Sequence, residues 1–126
     1  MENTVTHRSP VLIVDDEKDI CFLLSNILKQ RYFQSHLAGS LAEADKLIEN
    51  HKPSLVFLDN HLPDGFGLEH IRRLKQKHPT GKIVMITAHD NPSERARAYH
   101  EGVDFFISKP FTKDIIYQAI ERLNIA

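Results

Sequence analysis

Five positions along the chain carry side chains suited to binding a cation and a phosphoryl group. Each position follows a short run of apolar residues. The five residues are Asp15, Asp16, Asp59, Thr87 and Lys109. Three carboxylates brought close together repel one another, so such a cluster is costly unless a cation neutralises it. An all-oxygen site with few protein ligands suits Mg²⁺, which keeps several waters and shares its coordination shell with phosphate oxygens.

The same residue types predict phosphoryl transfer to a carboxylate. A carboxylate beside a bound cation can attack phosphorus and form an aspartyl phosphate. The ion and the Lys109 ammonium would offset the charge on the transferred group, and the Thr87 hydroxyl would donate to a remaining oxygen. Taken singly, Asp15 and Asp16 also fit loop and helix-cap positions, and Asp59 fits a turn. The prediction therefore depends on all four strand ends carrying the required chemistry together.

Short apolar runs alternate with amphipathic stretches from Pro10 onward, and this alternation predicts the elements that position the five residues. Continuous apolar runs indicate strands buried on both faces, and apolar spacings of three and four indicate helices. The predicted strands are residues 11–14, 34–38, 55–58, 83–86 and 103–107. Helix starts are predicted from the Ser40/Glu43 capping box, from Asn91 before Pro92, and from Thr112. Residues 63–67 are predicted to be a loop from their turn residues.

Five strand–helix units predict an α/β domain with a five-stranded parallel sheet, doubly wound by five helices. The order 2-1-3-4-5 is borrowed from known flavodoxin-like sheets and makes the first and third strands neighbours. Ligands of such sheets bind beyond the carboxyl ends of the strands, where the five residues stand. We expect a flexible tail over residues 1–9 and one domain over residues 10–126, without an output domain in this chain.

Composition excludes several other classes of protein. The chain has 126 residues, of which 41% are hydrophobic and 26% charged, as in one ordinary globular domain. A net charge of -1 gives no electrostatic reason to bind nucleic acid or a membrane surface. No apolar run approaches the ~20 residues that span a bilayer, and the first ten residues lack a signal-peptide core. The single cysteine, Cys21, is interpreted as a small core residue. We therefore expect a cytoplasmic protein.

The residues at these positions resemble the response-regulator receiver family of two-component signalling over about residues 10–123. The motifs that carry the resemblance are Val14-Asp15-Asp16-Glu17, Leu58-Asp59 followed by residues 62–67, Ile86-Thr87-Ala88, and Ser108-Lys109-Pro110-Phe111. The resemblance implies a receiver domain, phosphorylated by a sensor histidine kinase or a histidine phosphotransfer protein. Beyond its own phosphorylation and dephosphorylation, such a domain is not an enzyme.

The resemblance also implies which residues hold the phosphoryl group and the metal. Asp59 would be the phosphoacceptor. Asp16 and Asp59 would bind Mg²⁺ directly, together with the backbone carbonyl of His61, while Asp15 would hold the ion mainly through water.

The resemblance also implies a conformational switch that involves three residues, Lys109, Thr87 and Phe106. Lys109 would contact the phosphoryl oxygens, and Thr87 would move toward them on activation. Phe106 would then turn inward and reshape the fourth helix, fifth strand and fifth helix, which form the expected partner or homodimer surface. Phe106 stands where the family often has tyrosine, so a hydroxyl-dependent contact with a target is in doubt while a rotamer switch is not. The Lys109–Pro110 bond would be cis.

Two histidines depart from the commonest family pattern. His61 lies two residues after Asp59, and His89 lies two residues after Thr87. In the family these positions flank the phosphoryl group and tune how fast water removes it. An imidazole there could order a water, shield the acyl phosphate or make its lifetime depend on pH. The alternative is two exposed loop histidines with little effect. The other histidines are expected at the surface: His7, His36, His51, His70, His78 and His100.

Three alternative functions are weighed against the receiver. A haloacid-dehalogenase-type phosphatase needs an acid two residues after its nucleophile, where this chain has His61. A flavodoxin-like cofactor site needs a phosphate-cradling loop after the first strand, and Asp15-Asp16-Glu17 excludes one. A degenerate receiver that acts as a phosphorylation-independent binding module remains the alternative.

Overall fold

The computed structural model describes residues 9–126, so the expected tail, apart from Ser9, and the expected surface residue His7 lie outside the described residues. The Ser9 N–H donates to the carbonyl oxygen of Ala126 at 3.4 Å, which places these two residues side by side. Within residues 9–126, none of the helices combines the length and the apolar character needed to cross a bilayer.

Strands and helices alternate along the chain as predicted. The strands of the main sheet are β1 (Val11–Val14), β2 (Ser35–Ala38), β3 (Leu55–Leu58), β4 (Lys82–Thr87) and β5 (Phe105–Ser108). The helices are α1 (Lys18–Lys29), α2 (Leu41–His51), α3 (Gly67–Lys77), α4 (Pro92–Glu101) and α5 (Lys113–Arg122). The last strand begins two residues later than the predicted 103–107 and ends one residue later.

The main sheet is parallel throughout, and its strands follow the order β2-β1-β3-β4-β5. This confirms the predicted five-stranded sheet and its 2-1-3-4-5 order. β1 and β3 are neighbours, and Val14 at the end of β1 pairs with Leu58 at the end of β3. The residues that follow these two strands, Asp15 and Asp59, therefore leave the sheet side by side.

Each face of the sheet has an apolar core because successive side chains of a strand point to opposite faces. In β1, Leu12 and Val14 belong to the core shared with α2, α3 and α4. Val11 and Ile13 belong to the core shared with α1 and α5. Helices on both faces explain why every residue of β1 and β3 is buried, which is the pattern that the apolar runs predicted.

The predicted helix caps are present, with one change in the capping box. Asn91 and Thr112 accept from backbone N–H groups in the first turns of α4 and α5. The Ser40 hydroxyl accepts from the N–H of Glu43 at 3.2 Å, as predicted. The Glu43 carboxylate, however, accepts from the N–H of Gly39 at 2.7 Å instead of that of Ser40. The box is therefore formed in its first half and shifted by one residue in its second.

The segment after β3 is more ordered than the loop predicted for residues 63–67. Residues 61–62 pair antiparallel with residues 65–66 in a short hairpin, and Gly67 already begins α3. The carboxylate of Asp64, in the turn of this hairpin, accepts from the first two N–H groups of α2 at 2.9 and 3.0 Å. These hydrogen bonds hold the pKa of Asp64 below its usual range. The hairpin is thus anchored to α2.

Candidate functional site

The sheet brings four of the five predicted residues together at the carboxyl edge of its strands. Asp15 follows β1, Asp59 follows β3, Thr87 ends β4 and Lys109 follows β5. Asp15, Asp59 and Thr87 are among the few polar residues that are buried, with exposed fractions of 4%, 6% and 1%. Burying two carboxylates in one place is costly unless positive charge compensates them, so the residues around them are informative.

Lys109 supplies the positive charge. Its Nζ donates to Asp15 Oδ2 at 2.9 Å and to Glu17 Oε1 at 3.1 Å, and it lies 3.6 Å from Asp59 Oδ2. Burial lowers the pKa of Lys109, but the hydrogen bonds that it donates to Asp15 and Glu17 and the charge of Asp59 outweigh burial, so the pKa is raised overall. The ammonium therefore stays charged at neutral pH.

The negative charge of the Asp59 carboxylate is only partly compensated by its surroundings. Burial and the charge of Asp15 raise the pKa of Asp59 above its ordinary value. The Lys109 ammonium, a hydrogen bond from the Asn60 N–H at 2.8 Å and His61 act in the opposite direction without cancelling the rise. A further cation next to Asp59 would favour its ionised form.

Oxygen atoms of Asp15, Glu17 and Asp59 all lie within 4.8 Å of one another. Carboxylate oxygens are the ligands of hard divalent cations, so this donor set fits such an ion. The sequence predicted Asp16 in this set, but the Asp16 side chain is exposed and lies outside the cluster. The third carboxylate of the cluster is that of Glu17.

The backbone explains why Glu17 joins the cluster. Its N–H donates to Asp15 Oδ1 at 2.9 Å, which folds the chain back over Asp15. Glu17 belongs to the motif that begins at Val14, but the sequence predicted no role for it. The available signal was a long carboxylate side chain two residues beyond Asp15.

His61 and His89, on the segments that follow β3 and β4, contact each other. Their ring centroids are 4.1 Å apart with planes tilted by 45°, and Phe66 packs edge-on against His61 at 5.4 Å. The His89 N–H donates to Thr87 Oγ1 at 3.2 Å. Both histidines are exposed. They are not independent, however, because the two rings form one contact between the segments that follow β3 and β4.

The predicted switch residue Phe106 is already turned inward, with 5% of its surface exposed and its ring in a core. The inward turn implied by the resemblance therefore has little burial left to gain in this arrangement. The guanidinium of Arg95 lies 4.8 Å above the ring. Asp90 holds Arg95 at 2.7 Å and also accepts from the Ser108 hydroxyl.

Pro110 and Cys21 lie next to the site. The Lys109–Pro110 bond is cis, as the resemblance implied. Cys21 is buried, in agreement with its interpretation as a core residue, and its thiol donates to the carbonyl of Asp15 at 3.2 Å. Burial and the charge of Asp15 raise the pKa of Cys21 to about 11, so the thiol stays protonated.

Three of the six histidines expected at the surface, His36, His70 and His78, are instead partly buried, so that prediction was wrong for them. His70 and His78 are also hydrogen-bonded. His70 Nε2 lies 2.9 Å from Asp45 Oδ1, between α2 and α3. His78 Nε2 lies 2.6 Å from the carbonyl oxygen of Pro53.

Comparison with known proteins agrees with this arrangement. The transcriptional regulatory protein DpiA of Escherichia coli (strain K12) is 34% identical over 116 residues, which are 90% of this chain and 51% of DpiA. The chain thus spans about half the length of that relative. A two-component response regulator from Clostridium difficile superposes with a TM-score of 0.89 at 27% identity, covering 93% of this chain and 96% of that chain.

A response regulator protein from Burkholderia pseudomallei, solved with a phosphorylated aspartic acid, a calcium ion and citrate, gives a TM-score of 0.83 at 26% identity. That match covers 88% of this chain and 65% of the other. Residues 11–121 match the sequence profile of the response regulator receiver domain. The profile covers nearly all of the sheet and its helices, and the chain therefore belongs to the response regulator receiver domain family.

Proposed function

We propose that the chain is a phosphorylation switch of a two-component phosphorelay and that Asp59 is its phosphoacceptor. The observation that carries the proposal is the placement of Asp59: a buried carboxylate with a raised pKa, beside one ammonium and two further carboxylates. Such an environment suits a nucleophile that becomes stabilised only when a cation and a phosphoryl group are present. The proposed donor is a phosphohistidine of a sensor histidine kinase or a histidine phosphotransfer protein, in the cytoplasm.

In the proposed reaction a carboxylate oxygen of Asp59 attacks the phosphorus of the phosphohistidine. The new oxygen–phosphorus bond replaces the phosphorus–nitrogen bond, and the electron pair of that bond returns to the imidazole, which takes up a proton. Lys109 can offset the charge on the phosphoryl oxygens because its Nζ is 3.6 Å from Asp59 Oδ2. Thr87, buried at the end of β4, would donate a hydrogen bond from its hydroxyl to one of these oxygens.

The proposed metal is Mg²⁺. As the family resemblance implies, Asp16, Asp59 and the backbone carbonyl of His61 would hold it, with Asp15 acting through water. The exposed Asp16 side chain lies outside the carboxylate cluster and would have to turn toward Asp59 to bind the ion. The three clustered carboxylates and the calcium ion of the Burkholderia pseudomallei protein support a divalent cation. When bound, the ion supplies positive charge next to the transferred phosphoryl group.

Phosphorylation is proposed to change the surface of α4, β5 and α5, which would bind a downstream target or a second copy of the chain. Arg95 supports this route because it joins Phe106 in the core to Asp90 at the edge of the site. Since Phe106 is already buried, we expect the change to reach the surface through these contacts of α4.

Intact-protein mass spectrometry tests the proposal. The protein is incubated with a small acyl-phosphate donor, with and without Mg²⁺, beside Asp59→Asn and the exposed α5 control Asp114→Asn. We expect a Mg²⁺-dependent gain of one phosphoryl group in the wild type and the control, sensitive to hydroxylamine and absent in Asp59→Asn. No gain under any condition would refute the switch and favour the degenerate receiver, a binding module that reads the unmodified fold.

His61 and His89 are proposed to tune the lifetime of the aspartyl phosphate. Their ring contact beside Thr87 supports a shared effect on the water that reaches the phosphoryl group. We expect the lifetime to change in the His61→Ala, His89→Ala double variant, and each single variant to produce most of that change. Equal lifetimes in the wild type and the double variant would contradict this role.

A further inference from the structure

The Lys109 ammonium lies off-centre among three carboxylates. Asp15 and Glu17 hold it at 2.9 and 3.1 Å, whereas the nearest oxygen of Asp59 is 3.6 Å away, beyond hydrogen-bonding distance. We propose that Glu17 is a positioning residue that holds the Lys109 ammonium away from Asp59 until a divalent cation enters. The inference rests on the proposed function, because it concerns how ready Asp59 is to bind the ion.

Glu17 is suited to a reversible hold because its environment differs from that of Asp15. The Asp15 side chain is 4% exposed and accepts hydrogen bonds on both oxygens, so it cannot leave the site. The Glu17 side chain is 62% exposed and offers its carboxylate from the rim. An ion pair with an exposed partner is weak, so Lys109 can leave Glu17 at little cost when a phosphoryl group arrives.

Removing the charge of Glu17 leaves Lys109 with two carboxylate partners, Asp15 and Asp59. The ammonium is then drawn closer to Asp59 Oδ2, where it competes with a metal ion for the same oxygen. Loss of a carboxylate at the rim also removes charge that attracts the ion. Both effects have the same sign, so Glu17→Gln binds Mg²⁺ more weakly. The expected loss is about two- to fivefold in affinity, the range that exposed ion pairs give.

Mg²⁺ titration of the unphosphorylated protein, followed by amide NMR shifts, measures this affinity. Glu49→Gln is the matched control, because it removes the same charge from an exposed residue of α2 away from the site. We expect a larger dissociation constant for Mg²⁺ in Glu17→Gln and an unchanged one in Glu49→Gln. Equal affinities in the two variants would overturn the inference, as would a wild-type protein that binds no Mg²⁺.

A double-mutant cycle with Lys109→Met separates positioning from direct attraction of the ion. If Glu17 acts by holding the ammonium, Glu17→Gln has most of its effect with Lys109 present and little without it. An effect of the same size in both backgrounds would show that Glu17 attracts the ion directly, and would overturn the positioning role. Because no phosphoryl group is involved, a failure of Asp59 to be phosphorylated would refute the proposed function without changing this readout.

Discussion

Gly67 lies so close to Asp59 that a single methyl group should disturb both the stability of the fold and the proposed phosphorylation. A Cβ built on Gly67 would be 2.3 Å from the carbonyl oxygen of Asp59 and 3.0 Å from Cγ of Leu58. The first contact is with backbone, which cannot rotate away as a side chain can. Gly67→Ala must therefore displace either the start of α3 or the end of β3.

The size of the effect follows from two opposing contributions. Alanine is favoured over glycine within a helix by about 1 kcal/mol, although less at the first helical position. Overpacking of a tight site costs about 1–3 kcal/mol, and a backbone partner places this case at the upper end. We expect a net loss of about 2 kcal/mol in the free energy of unfolding. Gly39→Ala is the matched control, since its Cβ would meet only the end of the Glu43 side chain at 3.4 Å.

Urea unfolding followed by far-UV circular dichroism measures this difference, because the chain contains no tryptophan. The phosphorylation rate with a small acyl-phosphate donor is measured on the same proteins. We expect a lower urea midpoint and slower phosphorylation in Gly67→Ala, with Gly39→Ala close to the wild type. Wild-type stability and rate in Gly67→Ala would refute the reasoning, because the close approach would then be of no consequence.

Three further predictions concern residues around the site and one pair of histidines. Asn60 Oδ1 accepts from the N–H of Leu68 at 2.9 Å, so Asn60→Ala should lose about 1 kcal/mol of stability and raise amide exchange at the start of α3. Because burial and the charge of Asp15 raise the pKa of Asp59, its ionised carboxylate destabilises the metal-free protein at neutral pH. Asp59→Asn should therefore raise the urea midpoint at pH 7. This increase in the midpoint should become smaller as the pH falls through the raised pKa of Asp59. Burial and the neighbouring His51 lower the pKa of His36, so the unfolded chain takes up a proton there more readily than the folded protein. The free energy of unfolding should therefore fall as the pH drops below about 6.5. This loss should be smaller in His36→Gln than in the wild type. A pH dependence identical to that of the wild type would contradict the last prediction.

The sequence was sufficient to locate the strands, although their order was borrowed from known sheets, because buried parallel strands have a simple pattern. Val11–Val14 and Leu55–Leu58 are continuous apolar runs, each followed directly by an aspartate, and both are strands with those bounds. Helix starts were predictable where a single residue caps its own helix, as Asn91 and Thr112 do. Apolar runs and capping residues act on neighbouring positions of the chain, so a single sequence is enough to recognise them.

The features that were missed depend on contacts between distant residues. Asp64 caps α2, which begins 23 residues earlier in the chain. The turn residues of segment 63–67 do not reveal this distant contact, so they predicted only a loop. Asp16 and Glu17 are adjacent, and only the turn closed by Asp15 decides which of them faces Lys109. The inward position of Phe106 depends on packing among three helices, which no spacing in the sequence reports.

The hydrogen bond between Ser9 and Ala126 has a consequence for joining this domain to other chains. Ser9 precedes the amino end of β1, whereas Asp15 and Asp59 follow the carboxyl ends of their strands. A four-residue strand of about 13 Å separates the two edges of the sheet. A host protein that received residues 9–126 within one of its loops would enter and leave at neighbouring points, with only a small gap to span. Asp59, the proposed phosphoacceptor, would face away from the host.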